Sequence, residues 1–430
     1  MSQHGTKPEE PSAPLERAHL RAFAPVAAAL ATVFLLSQIY RYATTVIAPE
    51  IAQEFGLSPG ALGGVGAAFF FTFAAMQIPA GIMIDRWGAR RVIAAMQIFA
   101  VAGLVLAALA PSAIWLTAAM VLLGMGACCN LSGSLILATR WLPADRFATL
   151  AGALIAFGGI GHIMSTSPIG YLIEAIGWRG GYALLAATQG AAGIVLYLVV
   201  RDNPPWARDG EGRHAASLAE SARGIAEVLR VPGIWRIIAI MAMGPPIFFT
   251  LRGLWAGPYL ADVHALDPVG RGHVLMVMAA CLIAGNLVYG PLDRRLNTRK
   301  FIVLAGACGL GACYAVFATQ GAPDLWMAVL FIGAIGLFSP FDVVVFAHAR
   351  SLVAARLTGR IITTINFAMF LGTALLQQLS GHLLGWLKAD GWTPGEAYRV
   401  LFAGLAAIGF AGAAIYSRVQ DAPPREDVRR

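Results

Sequence analysis

Charge is scarce in this chain. Only 13% of its 430 residues are Asp, Glu, Lys or Arg, about half of the ~25% usual in soluble proteins. Acids are fewer than bases, 23 against 31, which leaves a formal net charge of +8. That shortage excludes an ordinary soluble globule. With 58% hydrophobic residues and a mean hydropathy of +0.69, it points into a bilayer. Cysteine is also sparse: Cys128, Cys129, Cys281, Cys308 and Cys313 all fall in apolar stretches. Their spacing matches neither a zinc site nor a disulfide framework, so they read as small packing residues. There is no phosphate-binding glycine loop, metal cluster or nucleophile–base spacing. Neither enzymatic activity nor a cofactor is expected.

What the chain does have is apolar runs of about 20 residues, each long enough to cross a hydrocarbon core of ~30 Å. Twelve can be counted, near 24–49, 60–84, 91–110, 114–139, 147–172, 180–200, 237–257, 271–291, 301–319, 323–347, 361–386 and 397–417. Bundled membrane helices tolerate the Gly and Pro inside them. Basic residues collect in the two tails and in the loops after spans 2, 4, 6, 8 and 10, whereas only Arg179, Arg271, Lys388 and Arg399 lie in or beside the opposite loops. By the positive-inside rule both termini are cytoplasmic. The basic balance therefore reflects topology and not nucleic-acid binding. Residues 1–23, with Glu9, Glu10 and Glu16, read as a disordered cytoplasmic tail and not a cleaved signal peptide. Residues 418–430 form the opposite tail. The arginine-rich, lysine-poor composition suggests a bacterial gene, hence a multi-pass protein of the inner membrane.

The longest polar stretch, 201–230, separates residues 24–200 from 231–417 as a cytoplasmic linker. Its 214–230 segment has the pattern of an amphipathic helix, with Leu218, Ile225, Val228 and Leu229 available for the interface. The halves repeat weakly: Pro49 maps to Pro258, Gly60 to Gly270, Asp85 to Asp293 and Arg140 to Arg350. Span 2 ends in Gly81-Ile-Met-Ile-Asp85-Arg86-Trp-Gly88-Ala-Arg90-Arg91. This resembles the G-x-x-x-D-R-x-G-x-R-R loop of the major facilitator superfamily, and Asp293-Arg294-Arg295…Arg299-Lys300 is a degraded second copy. The resemblance covers nearly the whole chain. It implies an all-α membrane protein with 12 transmembrane helices in two pseudo-symmetric six-helix bundles, working by alternating access. The loop suits a cytoplasmic gate. Asp85 can sit against a helix N-terminus or a basic residue in one state only, Gly81 allows close helix approach, and Gly88 allows a tight turn. Arg86, Arg90 and Arg91 either join that gate or simply retain topology.

Two arginines lie well inside spans. Arg41 is eight residues before Pro49 and Arg252 six before Pro258, placing them ~12 and ~9 Å below the same edge. Intramembrane charge marks a cavity or a partner. Asp342 sits inside a span too, but ~28 Å from that edge, too deep to neutralise either arginine. Guanidinium grips carboxylate or phosphate bidentately, so the layer suits an anion. A weaker reading has Arg252 snorkelling to the surface. Span 1 from Arg41 to Gly60 also resembles the organophosphate:phosphate antiporters. The resemblance implies that arginines of spans 1 and 7 bind the anion together. Arg252 departs from that pattern by about two residues, a rotation of ~200° on a regular helix, and the span-5 histidine of that family falls near Phe157 here.

His162 either couples proton movement or packs between helices. Asp342, after Ser339-Pro340-Phe341, either carries protons or caps a helix restarted beyond Pro340. Tyr40, Trp255, Asn130 and Asn366 are candidates to line the cavity. The substrate partner is thus a small, anionic molecule, accompanied by a coupling proton or counter-substrate, and a monomer in the lipid bilayer is expected. The competing reading is a proton-coupled exporter of drugs or other apolar or cationic compounds. Such exporters carry an acid deep in the first half and a Gly-Pro pair in span 5; this chain has Gly158-Gly159 and Gly161 instead. A receptor on the same fold would need larger tails than these.

Overall fold

The computed structural model describes residues 13–141, 144–204, 218–320 and 323–424, and every regular element among them is helical. The first half comprises α1 (Ala13–Phe55), α2 (Pro59–Trp87), α3 (Ala89–Ala108), α4 (Ala113–Ala127), α5 (Asn130–Trp141), α6 (Ala144–Met164) and α7 (Ser167–Val199). After the linker helix α8 (Leu218–Leu229) come α9 (Ile234–Thr250), a π-helical turn at Leu251–Trp255, and α10 (Ala256–His264). The chain continues as α11 (Pro268–Leu296), α12 (Lys300–Thr319), α13 (Leu325–Phe338), α14 (Asp342–Ser351), α15 (Thr358–Ala389) and α16 (Pro394–Tyr416). Several elements share a crossing: α4 with α5, α9 with α10, and α13 with α14.

Eleven segments of the described residues are long and apolar enough to span a membrane, and Ala151–Met164 is a shorter apolar helix. The sequence had placed that fifth crossing at 147–172 and the sixth at 180–200. The structure carries the fifth through a turn at Ser165–Thr166 into α7 and changes direction at Gly177, whose φ of 70° suits a residue without Cβ. A second correction concerns the tail: α1 begins at Ala13, inside the stretch read as disordered. Ala, Leu, Glu and Arg there are good helix formers, so a helix nucleated in the span propagates outward. Residues 1–12 lie outside the described residues, as does the start of the 214–230 pattern.

The internal repeat is visible in the caps. α2 opens on Ser58-Pro59 and α11 on Asp267-Pro268; each polar side chain accepts the N–H three residues on, at 3.2 and 2.7 Å. This is the usual N-cap followed by proline at the first helical position. Phe71, Ile98, Leu109, Ile194, Leu287, Trp326 and Trp386 are exposed on the outer faces, as lipid contact requires.

The two bundles meet along α2/α15, α7/α11 and α1 with the π turn and α10. The closest approaches are at the end poor in basic residues. A Cβ at Gly257 would fall inside van der Waals range of Thr45 O, and one at Gly63 would lie 2.6 Å from Gln377 O. Between described residues, every cross-bundle hydrogen bond also lies in that half: Thr45, Glu50, His162, Ser165, Ser167 and Tyr171 face Arg252, Arg271, His273 and Met276. Toward the middle, Phe370 of α15 packs on Phe73 of α2 at 4.5 Å. The end poor in basic residues is closed.

Candidate functional site

Beneath that closed end lie the two interior arginines. Arg41 of α1 is half-buried, with its guanidinium carbon 4.5 Å from the Phe73 ring, 5.5 Å from Phe69 and 5.7 Å from Phe370. Cation–π attraction holds it there, yet its buried Nε has no partner. Tyr40 beside it is buried, and its hydroxyl is also without a partner.

Arg252 is fully buried in the π turn. Pro258 explains the turn locally: it has no N–H for Leu254 O and its ring crowds that carbonyl, so the helix widens. The extra residue shifts helical phase by ~100°, which alters the rotation expected from a regular helix. The guanidinium crosses the seam. Its Nη2 donates to His162 O at 3.1 Å and to Ser165 Oγ at 2.9 Å, and Tyr42 of α1 lies under it at 4.9 Å. Thr45 Oγ1 donates to its backbone carbonyl at 2.6 Å. This rules out snorkelling.

The receiving end is the broken fifth crossing. Pro168 cannot donate to Met164 O and suits the first turn of α7, so α6 stops before it. The exposed carbonyls at a helix C-terminus carry partial negative charge, which attracts a guanidinium. His162 stacks on Tyr42 with centroids 4.7 Å apart, lies 3.5 Å from Gln38 Nε2, and leaves Nδ1 unpartnered. Arg252 Nε and Nη1 are likewise unpartnered. Neither arginine makes an ion pair with a described residue. Asp342 is half-buried as the first residue of α14, and its Oδ1 accepts the Val343 N–H at 2.9 Å.

The other cavity candidates are dispersed. Trp255 is buried inside the second bundle, donating to Ser380 Oγ of α15 at 2.7 Å. Asn130 faces a network within the first bundle: Gln97 donates to its Oδ1 at 2.9 Å and Gln189 donates to Gln97 Oε1. Asn366 is half-buried on α15.

At the basic end, Gly88 has φ 88° and its N–H closes α2 on Ile84 O. A Cβ there would meet the Asp202 carboxylate at 2.5–3.0 Å. Asp202 accepts the Arg90 N–H at 2.9 Å, while the Arg90 guanidinium binds Tyr197 O. Asp421 repeats this in the second half, accepting from Thr298 Oγ1 and from the N–H groups of Arg299 and Lys300. Asp85 makes no hydrogen bond or ion pair with a described residue; Arg140 and Arg360 are the bases whose charges reach it. Its counterpart Asp293 lies 3.6 Å from Arg299. Arg86 and Arg91 are exposed. A Cβ added at Gly81 would meet no described residue within 4 Å in this conformation.

Tyr42, Ser165, Phe73, Phe370, Asp202 and Asp421 were not singled out from sequence. A signal existed for the last two, since Asp-x-Pro-Pro follows the last crossing of each half at 202–205 and 421–424.

Two helical bundles joined by a linker, with guanidiniums at their seam that pair with no described acid, define a polytopic membrane carrier. The sequence profile of the Major Facilitator Superfamily matches residues 30–376, and the chain belongs to that family, one of transporters and not of enzymes. It is 27% identical over 286 residues to the probable sulfoacetate transporter SauU of Cupriavidus necator, covering 62% of this chain and 64% of that one. It is 23% identical over 297 residues to a protein named for tartrate transport in Agrobacterium vitis, covering 65% of each. The chain thus spans just under two thirds of these relatives' length. The crystal structure of a bacterial homologue of the lysosomal transporter Spinster, inward-facing and unoccupied, shares the fold: TM-score 0.73 at 20% identity, over 92% of this chain and 96% of that one.

Proposed function

We propose that this chain is a secondary active transporter of a small organic anion, working by alternating access, with Arg41 and Arg252 holding the anion between the bundles. One observation carries the reading: two interior guanidiniums from opposite bundles keep buried N–H groups unpartnered, and no described carboxylate is paired to them. An anion would supply both the charge and the acceptors. The relatives named for sulfoacetate and tartrate support the same class. The basic end is cytoplasmic and the closed end faces outward, in a bacterial inner membrane with both termini inside. The site then opens to the cytoplasm here, where Asp85 pairs with no described residue; closure would bring it to Arg360 of the second bundle. The linker and tails divide the chain at 24–200, 201–230 and 231–417.

The test is a thermal-shift screen of purified protein against sulfoacetate, tartrate, lactate, glycerol phosphate and a cationic dye, beside Arg41→Ala. Stabilisation by one anion class that vanishes in the variant supports the reading. Stabilisation by the dye alone, unchanged in the variant, overturns it in favour of an exporter.

A further inference from the structure

At the closed end, α1 carries two carboxylates one helical turn apart, and they do different things. Glu54 is held inside its own bundle, by Trp178 Nε1 at 2.7 Å and by the Arg179 guanidinium. Glu50 instead reaches across to Arg271 of α11, the one ion pair joining described residues of opposite bundles. The Arg271 side chain is 3% exposed and that of Glu50 26%. Arg271 stands in the first turn of α11, directly behind the Asp267-Pro268 cap. A helix N-terminus carries partial positive charge, so the position suits the incoming carboxylate and disfavours the arginine unless that carboxylate is present. Glu50 Oε2 and Arg271 Nε have no other partner. Among the described residues the pair is therefore a single charged contact with no supporting network, embedded where backbones touch: a Cβ at Gly272, next to Arg271, would lie 2.7 Å from Ser167 Cα.

We propose that Glu50 and Arg271 form a latch that holds this end shut, made in the present conformation and broken whenever the bundles part there. The latch is separate from the anion site and acts on the balance between conformers. Removing one partner strands the other charge in the closed seam, whereas in the open state water solvates it. Either single neutralisation thus favours the open conformer. Glu54 and Arg179 keep the end of α1 fixed to its bundle, so the contact breaks by movement of whole bundles and not by local fraying.

This inference rests on alternating access but not on the identity of the anion, and its test uses no anion. A reporter cysteine is placed at Leu254, which is buried at the seam against Gly66, in a background whose five cysteines are serine. A membrane-impermeant maleimide is applied in turn to each side of oriented vesicles. Slow labelling is expected from the latch side in the parent, and about tenfold faster labelling in Glu50→Gln and in Arg271→Gln, a partly exposed pair being worth less than a fully buried one. The reversed pair, Glu50→Arg with Arg271→Glu, should return to the slow rate. Unchanged labelling in both single variants, or a reversed pair as fast as the singles, overturns the latch. Where Glu50→Gln does not reach the membrane, Glu50→Asp keeps the charge and shortens its reach; an intermediate rate is expected, and the parental rate would overturn the proposal. A failed latch leaves the anion screen standing, and a failed screen leaves the labelling result interpretable.

Discussion

Replacing Arg252 by methionine should separate stability from function. The guanidinium is fully buried and makes no ion pair with a described residue. Desolvating it costs several kcal/mol even after relaxation. Against this stand two hydrogen bonds, to His162 O and Ser165 Oγ, worth ~1.5–3 kcal/mol each for a charged donor, and one ring contact with Tyr42, worth ~0.5–2 kcal/mol. These terms nearly cancel. A hydrophobic residue of similar length, which leaves no charge behind, is therefore expected to be neutral or stabilising by ~1–4 kcal/mol. At ~2–4 °C per kcal/mol for a unit of this size, the melting temperature in detergent should stay level or rise. Anion binding should fall about thirtyfold or more, because truncating one partner of a buried charged contact costs ~2–5 kcal/mol. Differential scanning fluorimetry with and without the stabilising anion measures both quantities. A melting temperature more than about 5 °C lower, which corresponds to over ~1 kcal/mol of lost stability, with the anion shift intact, would refute the reasoning and make Arg252 a structural strut.

Arg41→Lys should keep the charge yet lose most transport, since an ammonium cannot reproduce bidentate geometry; radiolabelled uptake by vesicles checks it. Gly257→Ala should force the α1 seam apart, shifting the conformer ratio by about 5- to 150-fold, the equivalent of ~1–3 kcal/mol, read as widened spin-label distances across the closed end. Asp202→Ala removes the acceptor for Arg90 N–H and should lower stability by ~1 kcal/mol, as loss of a helix cap does, with a similar loss for Asp421→Ala. The Arg356 guanidinium hydrogen-bonded to Glu227 holds that carboxyl below its ordinary range. Its docking contribution is thus fully present above the ordinary glutamate value of ~4.3 and fades as pH falls through and below it. Hydrogen exchange in α8 should accelerate in that acidic window, and Glu227→Gln should remove the pH dependence.

The crossings, the repeat and the two arginines were legible because hydrocarbon imposes simple rules: backbone must be helical and interior charge must have a reason. Gly88 was legible because its turn is written into a short motif. Helix interruptions were not. Periodicity runs straight through Ser165–Thr166 and Leu251–Trp255, and the prolines that break those helices lie two and three residues beyond the interruptions. A regular helix would rotate Arg252 by ~200°, and only the π turn shows where its guanidinium goes. Asn130 shows a different limit: a polar residue in a span serves either a cavity or a network, and its network runs through Gln97 of the preceding crossing to Gln189 of the sixth.

The glycine-lined seams bear on how fast a carrier can run if it alternates as proposed. Ordering a long side chain costs up to ~2 kcal/mol of rotamer entropy, whereas glycine and alanine cost nothing on that account. Where Gly257 meets Thr45 and Gly63 meets Gly381, surfaces close backbone against backbone, and few torsions need freezing each time they meet. Closure then gives up little disorder and gains little heat, so the open and shut forms can stay close in free energy. A cyclic machine that must pass through both forms on every turnover needs that near-degeneracy, and residues with no side chain to order supply it.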